Sequence, residues 1–143
     1  MPAGYSGTPL PKKLGIKEGH RVLLASPPEG FDATLGALPQ GAVATSRAGT
    51  KPGSFDVIVL FVGSVARLRD EFPKKARLLA TDGGLWVSWP KKASGVATDL
   101  HEGIVREIGL EAGLVDVKVC AVDETWSGLR FVYRLSDRPN RKL

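Results

Sequence analysis

The 143-residue sequence has few of the residues that support metal, disulfide or thiol chemistry. It contains one cysteine, Cys120, and two histidines, His20 and His101. A single cysteine excludes an intrachain disulfide and suits a reducing compartment, so we expect a cytoplasmic protein. Neither histidine stands at a zinc-ligand spacing from cysteines or carboxylates. We therefore expect no metal site, and we expect Cys120 to be an inert, buried thiol within a strand.

Long apolar runs and nucleotide-binding motifs are missing as well. No run reaches the roughly 18 residues that a membrane span requires, and the N-terminus lacks the apolar core of a signal peptide. The sequence has no Gly-x-x-x-x-Gly-Lys-Ser/Thr phosphate loop and no Gly-x-Ser-x-Gly nucleophile turn. It therefore predicts no membrane contact, no recognised catalytic machinery and no bound cofactor.

Acidic residues are outnumbered by basic ones, and the excess lies at the two ends of the chain. The formal net charge is +5, and residues 1–20 and 136–143 each contribute +2 of it. One interpretation is that the ends are solvated tails that aid solubility. The other is that they make weak, salt-sensitive contacts with nucleic-acid phosphates. The length fits a single domain over residues 1–143, of which we predict 1–8 and 136–143 to be flexible.

What the sequence does contain is a series of apolar strands separated by helical segments. Residues 21–26 and 56–62 are apolar on both faces, which is typical of central parallel strands. Residues 83–89 form a third strand, which ends at a Trp-Pro-Lys-Lys turn. A weak strand of small residues is predicted at 42–46.

The last two strands, at residues 115–122 and 129–134, are joined by a turn of six residues. So short a connection permits only an antiparallel pair. The complete pattern predicts an α/β fold: a Rossmann-like, mostly parallel sheet flanked by helices, with a C-terminal antiparallel hairpin.

Four helices are predicted, each with a start signal or an apolar face. They are a helix over residues 9–14 capped by Thr8, a helix over 31–38, a helix capped by Ser64 that Pro73 kinks or divides in two, and a helix that starts at a capping box of Asp99 and Glu102.

The order of these elements, from residues 19–24 through 83–88 to the terminal hairpin, resembles that of Rossmann-like S-adenosylmethionine-dependent methyltransferases. The resemblance spans roughly residues 15–135 and rests on no diagnostic motif. It implies a cofactor site at the carboxyl ends of the first strands.

Two features that this resemblance implies for the cofactor site are missing. Those enzymes carry a glycine-rich loop after the first strand, because glycine lets the backbone approach the cofactor closely. Here the loop reads Ser26-Pro27-Pro28-Glu29-Gly30. Thr45-Ser46-Arg47 stands where they carry an acidic residue for the ribose hydroxyls, and the next segment is too short for their usual helix and strand. The sequence therefore suggests a reduced version of the fold without that site.

Four further stretches carry a second resemblance. They are Tyr5-Ser6-Gly7-Thr8-Pro9-Leu10, Lys12-Lys13-Leu14-Gly15-Ile16, Trp89-Pro90-Lys91-Lys92 and Asp123-Glu124-Thr125-Trp126-Ser127-Gly128. Together they resemble an uncharacterised bacterial domain family with no established activity. This resemblance implies no function.

The predicted sheet brings four loops to one edge, where folds of this kind bind ligands. We therefore predict a shared crevice at the carboxyl ends of the parallel strands. Its candidate ligand-binding residues are Ser26, Glu29, Ser64, Trp89, Lys91, Lys92, Asp99, Asp123, Glu124 and Trp126.

Lysines in these loops are candidates for holding an anion. Lys91 and Lys92 follow the third strand, with Asp99 and a helix start nearby. The alternative is that the two lysines belong to a solvated loop.

The remaining candidates are acids and indoles. Asp123 and Glu124 are a possible carboxylate pair for acid–base chemistry or a hard cation, or simply a polar turn. Trp89 and Trp126 either stack on a planar ligand or seal the core.

Three functions remain open at this point. The first is a small domain without catalysis that binds an anionic small molecule or a protein partner. The second is a divergent S-adenosylmethionine-dependent transferase, and the third is a nucleic-acid accessory protein that acts through its basic ends. We also expect self-association through an exposed edge of the Tyr/Phe hairpin.

Overall fold

The structure, a computed structural model, describes residues 8–137 and contains one six-stranded sheet with helices on both faces. The predicted flexible tails lie, apart from Thr8, Ser136 and Asp137, outside the described residues. The strands are β1 (Arg21–Ala25), β2 (Val43–Thr45), β3 (Phe55–Phe61), β4 (Leu79–Pro90), β5 (Leu114–Ala121) and β6 (Trp126–Tyr133). The helices are α1 (Leu10–Lys13), α2 (Phe31–Leu35), α3 (Val65–Leu78) and α4 (Glu102–Glu111), with a 3₁₀ turn at Lys92–Ser94.

The strand order is β2-β1-β3-β4-β6-β5, and the first four of these strands run parallel. β6 is antiparallel to both β4 and β5. The predicted α/β class, the mostly parallel sheet and the C-terminal antiparallel hairpin are therefore confirmed. From β1 the chain first goes outward to β2 and then returns to add β3 on the other side, so the strand order reverses at the carboxyl ends of β1 and β3.

Successive side chains along a strand point to opposite faces of the sheet, so the buried core is divided between the two faces. Ile58 and Leu60 pack on the face covered by α3 and α4, which we call the first face. Val57 and Val59 pack on the second face, which α1 and α2 cover. α3 and α4 contain 14 and 10 residues, whereas α1 and α2 contain 4 and 5. The second face is therefore thinly covered, and this thin cover leaves room for a groove.

Several predicted helix boundaries were wrong. α1 begins after Pro9 with no side-chain cap, so Thr8 is not its N-cap. α2 ends at Leu35 because Gly36 takes a positive φ of 75°. α3 is one helix that continues through Pro73 to Leu78 rather than two abutting helices.

The hairpin lies at the edge of the sheet, but the strand that carries its Tyr and Phe side chains is not the edge strand, and the predicted self-association stays a prediction. β6, which carries Phe131 and Tyr133, is paired on both sides. The edge strand is β5, where Val117 and Val119 are 51% and 48% exposed. A shift in register between Asp116 and Lys118 interrupts this edge, which is a common means of discouraging edge pairing.

Across the part of the chain that the structure describes, no helix is both long and apolar enough to cross a membrane.

Candidate functional site

The loop that follows β1 is bonded to the start of α3, across the point where the strand order reverses. The Oγ atom of Ser26 accepts a hydrogen bond of 3.1 Å from Nη2 of Arg67. Ser26 has a φ of 56°, and within residues 8–137 it is the one non-glycine residue with a positive φ. A side chain in this conformation is strained, and such strain is concentrated at functional sites or tightly constrained turns. Glu29, in the same loop, is exposed.

The N-terminus of α3 is capped by two side chains. Ser64 accepts a hydrogen bond from the Arg67 N–H at 3.2 Å, as the sequence predicted. Asp99 accepts one from the Val65 N–H at 2.8 Å. Asp99 therefore caps α3 and not α4, contrary to the predicted capping box. α4 is capped instead by the ring of His101, whose Nδ1 accepts from the Ile104 N–H.

Because of these bonds, most of the polar groups at the carboxyl ends of β1 and β3 already have hydrogen-bond partners within the protein. The Asp99 carboxylate and the Ser64 hydroxyl already occupy the helix end that would otherwise attract an anion. The Thr98 hydroxyl donates to the Gly63 carbonyl at 2.7 Å and so joins the loops after β3 and β4.

Aromatic rings fill the second face next to this edge. Phe31, the first residue of α2, packs edge-to-face on Phe61 with ring centroids 4.8 Å apart. Phe61 in turn contacts Trp126 at 5.1 Å. Trp89 is 5% exposed and lies in the core of the first face. The two indoles therefore lie on opposite faces and do not line one crevice, contrary to the prediction.

The two lysines that follow β4 lie in different environments. Lys91 is half-buried, and its backbone N–H donates to the Thr125 carbonyl at 2.7 Å, which places it beside the β5–β6 turn. Lys92 is exposed and begins the 3₁₀ turn. Lys91 and Lys92 therefore differ in burial, and Asp99 is engaged by the Val65 N–H rather than by either lysine.

Asp123 is built into the β5–β6 turn. Its Oδ1 atom accepts hydrogen bonds of 2.8 Å from the N–H groups of Thr125 and Trp126. This bonding pattern is that of a side chain that shapes a turn. Glu124, at the tip, is exposed. Within residues 8–137, no group of three or more His, Cys, Asp or Glu side chains is placed to hold a metal ion.

A groove of about 770 Å³ opens on the second face, between α1, the end of α2 and the β5–β6 turn. Much of its wall is apolar, and Lys13, Asp123 and Glu124 supply its charges. The lining residues are Pro9, Leu10, Pro11, Lys13, Thr34, Leu35, Gly36, Ala37, Ala121, Val122, Asp123, Glu124 and Thr125. Two predicted site residues, Asp123 and Glu124, therefore line one cavity.

The sequence did not predict that α1 forms one wall of the groove. α1 reaches the turn through tertiary contacts, since Nζ of Lys13 lies 3.5 Å from the carbonyl oxygen of Ala121. The residues are 108 positions apart in the chain, and no local pattern indicates their contact.

Cys120 lies beside this groove and is half-buried. Burial raises the pKa of its thiol, and the nearby ammonium groups of Lys13, Lys118 and Lys91 act in the opposite direction without cancelling the effect of burial. At neutral pH the thiol is therefore protonated; its burial is only partial, and the predicted inertness stays a prediction.

A smaller cavity of about 140 Å³ lies at the opposite edge of the sheet, near the start of β1. Asp56 lines it and accepts a 2.8 Å hydrogen bond from the Arg21 N–H as well as bonds from the Arg21 guanidinium. Burial alone would raise the pKa of Asp56, but these bonds, the charge of Arg21 and that of nearby His20 together hold it below its usual value. Asp56 is thus engaged in a structural ion pair.

Among solved structures, 85 chains match this chain, and methyltransferases of low sequence identity are among them. A SAM-dependent methyltransferase from Aquifex aeolicus has 16% identity and a TM-score of 0.55, with 84% of this chain and 85% of that chain covered. A TehB-like SAM-dependent methyltransferase from Corynebacterium glutamicum has 14% identity and a TM-score of 0.54, with 92% and 91% covered. Magnesium protoporphyrin IX methyltransferase from Synechocystis PCC 6803, solved with bound SAM, has 13% identity and a TM-score of 0.57, with 87% and 74% covered.

These similarities show the fold: the chain has a Rossmann-like, methyltransferase-like architecture. No protein-family model and no curated protein matches it. The resemblance to an uncharacterised bacterial domain family therefore stays a prediction.

Proposed function

We propose that this chain is a binding domain with a methyltransferase-like fold, and that it holds a small ligand in the groove between α1, α2 and the β5–β6 turn without catalysing a reaction. The groove itself carries this proposal. Its volume of about 770 Å³ lies within the range of roughly 300–1,000 Å³ typical of small-molecule sites. Its wall combines apolar residues such as Leu10 and Leu35 with a few charged ones, as ligand sites usually do.

The contrast with the edge at β1 and β3 supports this choice of site. There the Ser26 hydroxyl bonds to Arg67, and the Asp99 carboxylate occupies the N-terminus of α3. A ligand at that edge would have to displace these partners, and it would meet side chains and two prolines where close backbone approach needs glycine. The groove on the second face requires neither the displacement of these partners nor a glycine for close backbone approach.

The proposal is tested by filling the groove. Thr34 lines it, whereas Ala33, its exposed neighbour in α2, does not. The probe is N-phenylnaphthylamine, a neutral apolar fluorophore, titrated into the whole protein. We expect Thr34→Trp to abolish binding and Ala33→Trp, which adds an indole to the same helix outside the groove, to leave it unchanged. Equal affinities of the two variants would overturn the proposal.

A second candidate function is a SAM-dependent transferase, and the similarity to solved methyltransferases favours it at the level of the fold. Calorimetric titration with S-adenosylmethionine and S-adenosylhomocysteine separates the two candidates. The binding domain that we propose gives no heat of binding with either compound. Saturable binding that persists in Thr34→Trp but is lost in Arg67→Ala would establish the transferase candidate at the β1–β3 edge.

A further inference from the structure

We propose that the groove selects a ligand with a protonated amine, and that Asp123 and Glu124 receive its ammonium group while its apolar body lies against the groove wall. We call these two residues the acidic turn. The inference rests on the proposed function and deepens it, since it names the ligand class: a small apolar molecule that carries a primary or secondary amine. Its charge is opposite to that of the anionic ligand that the sequence predicts from Lys91 and Lys92, and neither of these lysines lines the groove.

The charged residues that line the groove are two carboxylates and one ammonium group. Lys13 supplies the ammonium group, which has a partner in the Ala121 carbonyl, with Nζ and the oxygen 3.5 Å apart. Asp123 and Glu124 lie in the turn that follows Ala121. Across residues 8–137, neither carboxylate lies within ion-pair distance of a basic side chain. The acidic turn therefore gives the groove a negative end that the described chain does not neutralise.

Asp123 is held in place by one oxygen and keeps the other available to a ligand. Its Oδ1 atom accepts hydrogen bonds of 2.8 Å from the N–H groups of Thr125 and Trp126. No donor among the described residues reaches Oδ2. Because the turn already orders this carboxylate, little side-chain entropy is lost when a cation binds to it. A bond from an ammonium N–H to a carboxylate oxygen is also stronger than one between neutral groups.

The groove wall offers few free backbone donors, which is an independent indication of the polarity of its ligand. Pro9 and Pro11 have no backbone N–H. The N–H groups of Gly36 and Val122 already donate to carbonyl groups within the fold. By contrast, no backbone N–H of residues 8–137 donates to the carbonyl of Thr34, close to the end of α2. An ammonium group only donates hydrogen bonds, so it matches a wall of this kind, whereas an anion would find few donors.

The first experiment compares three naphthalene compounds on the whole protein, each by its displacement of N-phenylnaphthylamine. 1-Naphthylmethylamine is a cation at neutral pH, 1-naphthylmethanol is neutral and 1-naphthoate is an anion. We expect the amine to bind about tenfold more tightly than the alcohol, and the naphthoate to bind more weakly than the alcohol. Equal affinities for the amine and the alcohol would overturn the inference, and so would tightest binding of the naphthoate.

The second experiment removes the charges of the acidic turn. Asp123→Asn keeps an oxygen acceptor for the two backbone N–H groups, and Glu124→Gln changes an exposed residue at the tip of the turn. We expect each to weaken binding of the amine about threefold and to leave the alcohol unchanged.

Glu107→Gln is the matched control for this experiment. Glu107 is an exposed residue of α4, which covers the first face, so its replacement removes the same charge on the other side of the sheet. It should change the affinity of neither compound. A preference for the amine that persists when both residues of the acidic turn are replaced contradicts the inference.

Failure here and failure of the proposed function give different results. If the parent binds the amine and the alcohol equally while Thr34→Trp abolishes binding of N-phenylnaphthylamine, the groove remains a ligand site that does not select charge. If Thr34→Trp binds N-phenylnaphthylamine as the parent does, the groove proposal is lost, and this inference is lost with it.

Discussion

The indole N–H of Trp86 in β4 donates a buried hydrogen bond of 2.9 Å to the carbonyl oxygen of Leu14, the residue that ends α1. Both residues have no exposed surface. The bond fixes the segment after α1 against the second face of the sheet. Because α1 supplies one wall of the groove, this contact between residues 72 positions apart positions the candidate site.

Replacing Trp86 by phenylalanine should therefore affect both stability and the groove. Trp86→Phe leaves the Leu14 carbonyl buried without its donor and creates a cavity, and we expect the free energy of unfolding to fall by about 2–4 kcal/mol. Urea denaturation measures this loss. Trp89→Phe, in the core of the first face, is the control: it should be less destabilising and should leave probe binding in the groove intact. Equal effects of the two variants on the groove would contradict this account.

Ser88 is a buried polar residue whose removal should stabilise the protein. Within residues 8–137 its Oγ atom has no hydrogen-bond partner, and the residue is 0% exposed. Since a buried, unsatisfied hydroxyl is unfavourable, we expect Ser88→Ala to raise the free energy of unfolding by about 1 kcal/mol. Ser94→Ala is the matched control, because the Ser94 hydroxyl bonds to Lys91 and Val96 and its loss should destabilise. A lower melting temperature for Ser88→Ala would refute this interpretation.

Gly109 allows α4 to lie directly on β6. A Cβ atom at this position would overlap the ring of Phe131. We expect Gly109→Ala to lower the free energy of unfolding by about 1–3 kcal/mol, even though alanine is the better helix former by about 1 kcal/mol. Gly63→Ala, where a Cβ would meet open space, should be close to neutral. Thermal unfolding followed by circular dichroism compares the two, and a stabilised Gly109→Ala would show that the helix packs differently.

The ion pair at Asp56 predicts an acid-sensitive contribution to stability. Its pKa in the folded protein lies below the usual value, so the contribution is present above the unfolded pKa of about 3.9 and is lost as the pH falls through the folded pKa. Arg21 is half-exposed, with 52% of its side chain accessible, and solvent screening holds the contribution to about 1 kcal/mol or less.

Asp56→Asn keeps an oxygen acceptor for the Arg21 N–H but removes the charge. We expect this variant to be less stable than the parent at pH 6–7, with the difference shrinking as the pH falls through the folded pKa of Asp56, as measured by urea denaturation at each pH. A difference that stayed constant from neutral to acid pH would show that the charge of Asp56 does not contribute.

A strand could be predicted from the sequence wherever its burial dictates the types of its residues. Residues of β1 and β3 are apolar on both faces because helices cover both, so their strand character is visible locally. The Ser64 cap was also predictable, because its bond to the Arg67 N–H spans only three residues. Asp99 shows the limit of such reasoning: its spacing to Glu102 fits a capping box, but the carboxylate bonds to another helix 34 residues away.

The sequence by itself determined the α/β class, the parallel core strands and the lack of a glycine-rich cofactor loop, because each depends on residue types at short spacing. The tertiary structure alone decided that Trp89 and Trp126 lie on opposite faces and that a groove opens beneath α1. These outcomes depend on how a short helix docks on a thinly covered sheet. That docking is governed by contacts such as Trp86 with Leu14, which no local pattern encodes.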